Sequence, residues 1–273
     1  MSEESEEKAV LVERRGRIMI ITMNRPSARN AINGALSNGV WDAVQELNND
    51  PNLTAGVLTG AGGYFCSGMD LKAFARGVDL GPFTKFVREG CEKPMIAAIE
   101  GFAIAGGCEM ALSCDLLVAA KGAKIGIREV KVGLFAAAGG LFRLPSRVGY
   151  AKAIEMAITG DHILAEEAKA AGMLSELTEV GGAVDAAIAL AERVAQNAPL
   201  AVAASKKLVR AAAQGIDGCQ RGPERGCGKT RTELDRNVER GTVPAGLKRK
   251  QRMSAIDGDG RPRHIGACLR SQQ

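Results

Sequence analysis

Short apolar segments alternate with a helical segment and glycine-rich turns along residues 10–120, and this alternation restricts the fold more than any other feature. Two strands are predicted on either side of a turn at Arg15-Gly16. Apolar residues then recur at helical spacing from Ile32 to Leu47, and Pro51 ends that pattern. Further strands are predicted in the segments LTAGVLTG, KPMIAAIEG and DLLVAA. This order of elements predicts a layered α/β core.

The pattern becomes helical from Gly149 onward. The predicted helices lie in AKAIEMAITG, AEEAKAAG, GGAVDAAIALAERVAQNA and PLAVAASKKLVRAAAQG, and one short strand, LSELTEV, interrupts them. Beyond Gly218 no clear period remains. At the other end, the acidic residues 1–9 are expected to form a disordered tail rather than a secretory signal.

The residue inventory restricts the chemistry. With only two histidines, His162 and His264, a histidine-based triad or metal site is nearly excluded, and acid–base work falls on carboxylates, Lys, Tyr or Cys. The seven cysteines include no CxxC pair, which favours a reducing, cytoplasmic compartment. No apolar run approaches the roughly 18 residues that a membrane span requires, so no membrane association is expected.

The positive charge is concentrated in residues 219–273, which hold 13 Lys/Arg and 6 Asp/Glu. Such a tail can bind nucleic acid, and salt-sensitive binding lost on its deletion would indicate that class of function. The tail has no aromatic residue on which bases could stack. The favoured interpretation is therefore a solvated surface, or a few contacts to a phosphorylated cofactor, without a nucleic-acid partner.

Two of the three glycine-rich motifs fail their templates. VLTGAGGYFCSG departs from the dinucleotide fingerprint because Phe65 occupies the last glycine position. GPERGCGKT departs from the phosphate-binding P-loop because Pro223 stands where the first glycine is needed. In the third motif, IAGGCE, free N–H groups at a helix start can hold an anionic oxygen. Alternatively, Glu109 there simply complements the helix dipole.

Several segments, taken in order, resemble the crotonase (enoyl-CoA hydratase/isomerase) superfamily. They are ITMNRPSARNAIN, FCSGMDLKAF, GFAIAGGCEMALSCDLLVAA, IREVKVGL, RLPSRVGYAKAIEMAITGD and AEEAKAAGMLSEL. The resemblance extends from about Val10 to about Ala213. It implies an α/β fold, a crotonase-like spiral of ββα units with a helical C-terminal segment. The implied spiral core covers residues 10–200. Residues 201–273 would form a C-terminal helical and oligomerisation segment, which is atypical after 218.

The resemblance also implies an activity, the reversible hydration of a 2-enoyl-CoA to a 3-hydroxyacyl-CoA. By position, the backbone N–H groups of Met69 and Gly106 would form the oxyanion hole. The two family glutamates would be Glu109 and, twenty residues later, Glu129. Hydration needs one group to take a proton from water and another to protonate the α-carbon, which explains the pair.

Further expectations follow from the same resemblance. No metal or other cofactor is implied, because coenzyme A is part of the substrate, and a homotrimer or hexamer is expected. The expected substrate and CoA-binding residues are Arg29, Ala31, Ile32, Ser67, Gly68, Asp70, Leu71, Lys72, Gly107 and Gly133.

Departures from the family pattern keep other functions open. Arg128 replaces the usual proline before the second glutamate, and its cation would favour ionised Glu129 if it points inward. Met69 replaces a smaller residue, and Leu141-Phe142 replace the usual Thr-Gln. The alternatives are a carnitinyl-CoA dehydratase-like enzyme or another isomerase of this fold. From a different class, the chain would be a CoA-binding protein with little catalysis.

Overall fold

The computed structural model describes residues 8–213, and this range contains nine β-strands and nine α-helices. The strands are β1 (Val10–Arg15), β2 (Ile18–Met23), β3 (Ala55–Gly60), β4 (Met95–Ile99), β5 (Phe102–Ile104), β6 (Leu116–Ala120), β7 (Lys124–Gly126), β8 (Ile163–Leu164) and β9 (Glu176–Thr178). The helices are α1 (Gly34–Asn49), α2 (Leu71–Ala75), α3 (Gly81–Glu89), α4 (Gly106–Ser113), α5 (Gly140–Val148), α6 (Tyr150–Thr159), α7 (Ala165–Ala170), α8 (Ala183–Ala195) and α9 (Pro199–Ala213). Two 3-10 turns cover Pro26–Ala28 and Glu129–Val132.

The strands form two sheets. The larger sheet has the order β1-β2-β3-β4-β6-β9, with β1 antiparallel to β2 and every other neighbouring pair parallel. In the smaller sheet, β7 pairs with β5 in parallel and with β8 in antiparallel fashion. Parallel neighbours require crossover connections, and helices such as α1, between β2 and β3, supply them.

Apolar side chains fill both faces of the larger sheet, as expected for parallel strands covered on two sides. Along β2, Met19 and Ile21 join the main core, while Ile18 and Ile20 pack in a second cluster with α8. This alternation follows from the two-residue period of a strand. The edge strand β1 is largely exposed.

Most elements expected from the sequence are present, including both strands around the first turn, α1, the strands β3, β4, β6 and β9, and the helices α4 and α6–α9. Six elements were not predicted. β5, β7 and β8 are only two or three residues long, too short to show a hydrophobic period. α2 is a single short turn, α3 starts with Gly-Pro, and α5 contains Pro145.

The predicted segment boundaries are covered only in part. Residues 1–7 of the predicted acidic tail and residues 214–273 of the predicted C-terminal segment lie outside the described residues. Lys8 and Ala9, at the end of that tail, accept hydrogen bonds from Asn24 through their carbonyl oxygens. Between residues 8 and 213, no helix combines the length and the apolar character needed to cross a lipid bilayer.

Candidate active site

The helix α4 begins inside the protein, and all eight of its residues are buried. Ala105, just before it, has φ 53° and ψ −131°, a backbone conformation that alanine rarely adopts. This bend directs the chain from β5 into α4. Gly106 is the first residue of the helix, so no carbonyl of a preceding turn can accept its N–H.

A second free N–H lies beside the first, at Met69. Ile32 pairs with Met69 in a parallel bridge, because Ile32 N donates to Gly68 O at 2.8 Å and Asp70 N donates to Ile32 O at 2.9 Å. The bonds on either side leave the Met69 N–H facing away from Ile32, and no acceptor for it is found among residues 8–213. A methyl group built on Gly106 would lie 3.7 Å from Met69 N. The structure therefore brings Met69 and Gly106 together.

Glu109 lies one helical turn after Gly106, and only 3% of its surface is exposed. Its Oε1 accepts hydrogen bonds from Ala138 N at 2.8 Å and Gly140 N at 3.0 Å. Burial raises the pKa of Glu109 to about 7, and the nearby charge of Glu129 acts in the same direction. The two N–H donors oppose that shift, because they stabilise the ionised carboxylate. Near neutral pH this carboxyl can either give or take a proton.

Glu129 opens the second 3-10 turn and is half-buried. Burial raises its pKa, and the backbone N–H groups of Glu129 and Arg128 partly offset that rise. Arg128 is an exposed residue, and its backbone N–H, rather than an inward-pointing cation, lowers the pKa of Glu129. The Oε2 atom of Glu129 is buried and has no hydrogen-bond partner within the described part of the chain. One carboxyl oxygen thus remains able to accept a further donor.

The residues predicted to bind CoA lie mostly on two adjacent segments, 29–32 and 67–72. Ser67 N donates to Arg29 O at 3.1 Å, and the Ile32–Met69 bridge continues the pairing. Asp70 accepts hydrogen bonds from Lys72 N and Ala73 N at the start of α2. The side chains of Arg29, Leu71 and Lys72 are exposed, whereas the other residues of the two segments are buried or partly buried.

The other predicted binding residues occupy different settings. Ala31 and Gly68 lie within the paired segments, with Ala31 O accepting a hydrogen bond from Arg25. Gly107 packs against the backbone of Cys66, where a methyl group would lie 2.4 Å from Cys66 O. Gly133 is exposed at the end of the second 3-10 turn, with φ 74° and no heavy atom near its missing side chain. The geometry does not bring Gly133 together with the two free N–H groups.

Four residues that contribute to the site were missed in the sequence. Asn30 is fully buried, and its Nδ2 donates to Ala61 O and Tyr64 O, which fixes the loop before Met69. The N–H groups of Ala138 and Gly140 donate hydrogen bonds to Glu109. Their segment, AAAGG, contains only small residues, so its sequence gives no sign of this role. Phe83 of α3 is buried near Gly106, since its Cζ would lie 3.7 Å from a methyl group built there.

Comparison with known proteins gives consistent results. A family model described as enoyl-CoA hydratase/isomerase matches residues 13–225. Enoyl-CoA hydratase EchA19 from Mycobacterium tuberculosis is 42% identical over 212 residues, which cover 73% of this chain and 79% of that protein. A crystal structure of an enoyl-CoA hydratase from Mycobacterium tuberculosis has 45% identity and a TM-score of 0.77, covering 94% of this chain and 98% of the other. A carnitinyl-CoA dehydratase from Mycobacterium avium has 42% identity and a TM-score of 0.71, covering 85% and 90%.

Proposed function

This chain belongs to the enoyl-CoA hydratase/isomerase family, and we propose that it hydrates a 2-enoyl-CoA reversibly to a 3-hydroxyacyl-CoA, with Glu109 and Glu129 as the acid–base pair. Its fold is the crotonase-like α/β fold, shared with solved structures of the family. The observation that carries the proposed roles is a pair of carboxyls with raised pKa values, one of which, Glu109, lies a helical turn after Gly106 and its neighbour Met69 N.

The proposed oxyanion hole acts first on the thioester. Its carbonyl oxygen accepts hydrogen bonds from the N–H groups of Met69 and Gly106, which draws electron density from the conjugated double bond. These donors are fixed in the fold before substrate binds, so they stabilise developing negative charge with little reorganisation. Carbon 3 of the acyl group becomes electrophilic, and an enolate oxygen forms between the two donors when water attacks.

The two glutamates complete the addition of water. One carboxylate takes a proton as the water oxygen bonds to carbon 3, and the other, protonated, gives its proton to carbon 2. The net reaction adds H and OH across the double bond and leaves one proton shared by the pair. Burial and mutual repulsion favour such sharing, because two adjacent carboxylates are not readily ionised together.

The decisive experiment follows the loss of ultraviolet absorbance of the conjugated enoyl thioester, with crotonyl-CoA and longer homologues. Wild type is compared with Glu109→Gln and Glu129→Gln, and with Glu192→Gln, which changes an exposed carboxylate on α8. Each site variant should lose at least about 100-fold in kcat, whereas Glu192→Gln should match wild type. Full activity in either site variant contradicts the assigned roles. CoA-ester binding without any hydration by wild type supports the non-catalytic alternative.

A second candidate is a carnitinyl-CoA dehydratase-like activity, favoured by the 42% identity with the Mycobacterium avium dehydratase structure. Dehydration is the reverse of hydration, so one acid–base pair would serve either activity, and Glu109 and Glu129 do not distinguish them. Turnover of crotonobetainyl-CoA combined with inactivity toward crotonyl-CoA would favour this candidate.

We also propose a cytoplasmic homotrimer or hexamer that needs no metal or redox cofactor. Hydration moves protons and a water molecule, so the proposed chemistry requires no electron carrier. The four cysteines of the described region are free thiols, which supports a reducing compartment. On α6, Tyr150, Ile154 and Ile158 recur every four residues and are exposed, which supports burial of that face between subunits.

A further inference from the structure

The loop that holds Glu109 is itself held by a side chain of α5. Arg143 is half-buried, and its two terminal nitrogens donate to different carbonyl oxygens. Nη1 donates to Ala138 O at 3.4 Å, and Nη2 donates to Val87 O near the end of α3. The same guanidinium therefore contacts α3 and the loop 138–140, which ends at the first residue of α5.

The loop is built closely around both Arg143 and Glu109. Gly139 has φ 94°, and a methyl group there would lie 2.5 Å from Arg143 Nη1. A methyl group on Gly140 would lie 2.8 Å from Glu109 Cγ and 3.2 Å from its Oε1. Ala138 connects the two side chains. Its carbonyl oxygen accepts a hydrogen bond from Arg143, and its N–H donates a hydrogen bond to Glu109.

We propose that Arg143 is a positioning residue, which orients the Glu109 carboxylate by fixing the loop 138–140 against the end of α3. The inference rests on the proposed hydratase function for its kinetic consequences only. The Arg143 side chain is connected to Glu109 through Ala138, and its guanidinium donates to carbonyl oxygens rather than to Glu109 itself.

Charges around the pair set the direction of the expected pH effect. Two charged groups on other elements face Glu109, namely Glu129 on the second 3-10 turn and Arg143 on α5. Glu129 raises the pKa of Glu109, and Arg143 lowers it. Cys108 on α4 also lies within electrostatic range. Arg143 in turn faces Arg210 from α9, with Arg147 and Cys114 nearby. Removing the Arg143 charge should therefore raise the pKa of Glu109 above its value of about 7.

The test compares Arg143→Gln and Arg143→Lys with Arg147→Gln. Arg147 is also half-buried on α5 and donates to Cys114 O and Asp115 O, but it makes no hydrogen bond to the loop 138–140. Enoyl-CoA hydration is measured from about pH 5 to about pH 9, with circular dichroism and thermal unfolding as folding checks. Arg143→Gln should lower kcat about 10- to 100-fold with KM nearly unchanged, because small misplacements of a catalytic group are costly. Its pH profile should also move to higher pH.

Arg143→Lys should recover most of the pH profile, because it keeps the charge, but only part of kcat, because an ammonium cannot reproduce the planar fork. Arg147→Gln should leave the profile in place. A wild-type profile in Arg143→Gln, or an equal shift in Arg147→Gln, overturns the proposal. If Arg143→Gln does not fold, Arg143→Lys decides alone, since unchanged kcat in that variant also overturns it.

Isotope-edited NMR of the glutamate carboxyl carbons separates this proposal from the proposed function. The Glu109 titration is followed without substrate in wild type and in the arginine variants. An upward pKa shift in Arg143→Gln, absent in Arg147→Gln, supports the positioning role even if wild type hydrates no enoyl-CoA tested. No shift in the NMR titration counts against it even if hydration is confirmed.

Discussion

At the scale of single residues, the unusual feature is a carboxyl group in an otherwise apolar buried helix. The sequence identifies Glu109 as an outlier, and the structure shows what compensates its burial, namely two backbone N–H donors and a nearby arginine. The compensation is incomplete, because the pKa stays well above the usual value of 4.5. A group kept in this state costs folding free energy whenever it is ionised.

This cost predicts a pH-dependent gain in stability for Glu109→Gln. The folded-state pKa of about 7 exceeds the usual 4.5, so between these pH values the folded protein binds more protons than the unfolded chain. The unfolding free energy therefore falls as pH rises through that window and stays low above it. The amide introduced by Glu109→Gln keeps an acceptor oxygen for both N–H groups but cannot ionise. We expect this variant to be more stable than wild type by on the order of 1–3 kcal/mol at about pH 8.

Thermal unfolding at two pH values checks this prediction. Near pH 4 both proteins carry a neutral group at this position, so the two melting temperatures should be similar. The exposed Glu192→Gln change serves as the control and should have little effect at either pH. A stability difference that is the same at both pH values would show that ionisation of Glu109 is not its cause.

At the scale of elements, the start of α4 places adjacent glycines under different constraints. A methyl group on Gly107 would lie 2.4 Å from Cys66 O and 2.9 Å from Cys66 C, which is backbone that cannot move aside easily. A methyl group on Gly106 would meet Ile32 Cδ1 at 3.3 Å and otherwise only atoms at 3.7 Å. Gly107 is therefore required for packing, whereas Gly106 leaves open the space beside Met69 N.

The two alanine variants should accordingly fail in different ways. Gly107→Ala should lose about 3 kcal/mol of stability or more, because the overlap is with main-chain atoms. Gly106→Ala should unfold within about 1 kcal/mol of wild type, yet lose about 100-fold in kcat, because its methyl group fills the proposed oxyanion hole. Urea unfolding and the hydration assay measure both quantities. Near-normal activity in folded Gly106→Ala would remove Gly106 from the proposed site.

Only part of this arrangement of elements can be predicted from the sequence. Hydrophobic period and glycine positions predict α4, the strands β4 and β6, and the location of Glu109 at a helix start. They do not predict the loop 138–140 or Arg143, because the contacts with Glu109 join residues about thirty positions apart and depend on tertiary packing. Similarly, the free N–H of Met69 arises from an isolated bridge to Ile32, which leaves no periodic pattern in either segment.

At the scale of the whole molecule, several large apolar side chains of the described region remain exposed, including Phe142 at 90% and Tyr150 at 76%. On α6, Tyr150 forms one face with Ile154 and Ile158, while Ala153 and Met156 on the same helix pack into the core. α9 has no buried residue, and polar contacts attach it, with Lys206 Nζ 2.6 Å from Asp115 Oδ2. An assembly that covers such faces would account for their apolar character.

Charges introduced on the α6 face should therefore change the assembly state. We expect wild type to sediment as a trimer or hexamer and Ile154→Glu/Ile158→Glu to sediment as smaller species, because the charges would be buried without partners. Val180→Glu, at a 79% exposed position before α8, is the matched control and should keep the wild-type mass. Analytical ultracentrifugation measures all three. An unchanged mass in the double variant would place the interface elsewhere.

The bridge between Ile32 and Met69 fixes the main chain at position 69 without involving the side chain. The main chain at position 69 is aimed by its neighbours' hydrogen bonds, so every amino acid except proline offers the same N–H. Under the proposed function, the side chain of Met69 can therefore be substituted without loss of the N–H that is proposed to hold the thioester oxygen.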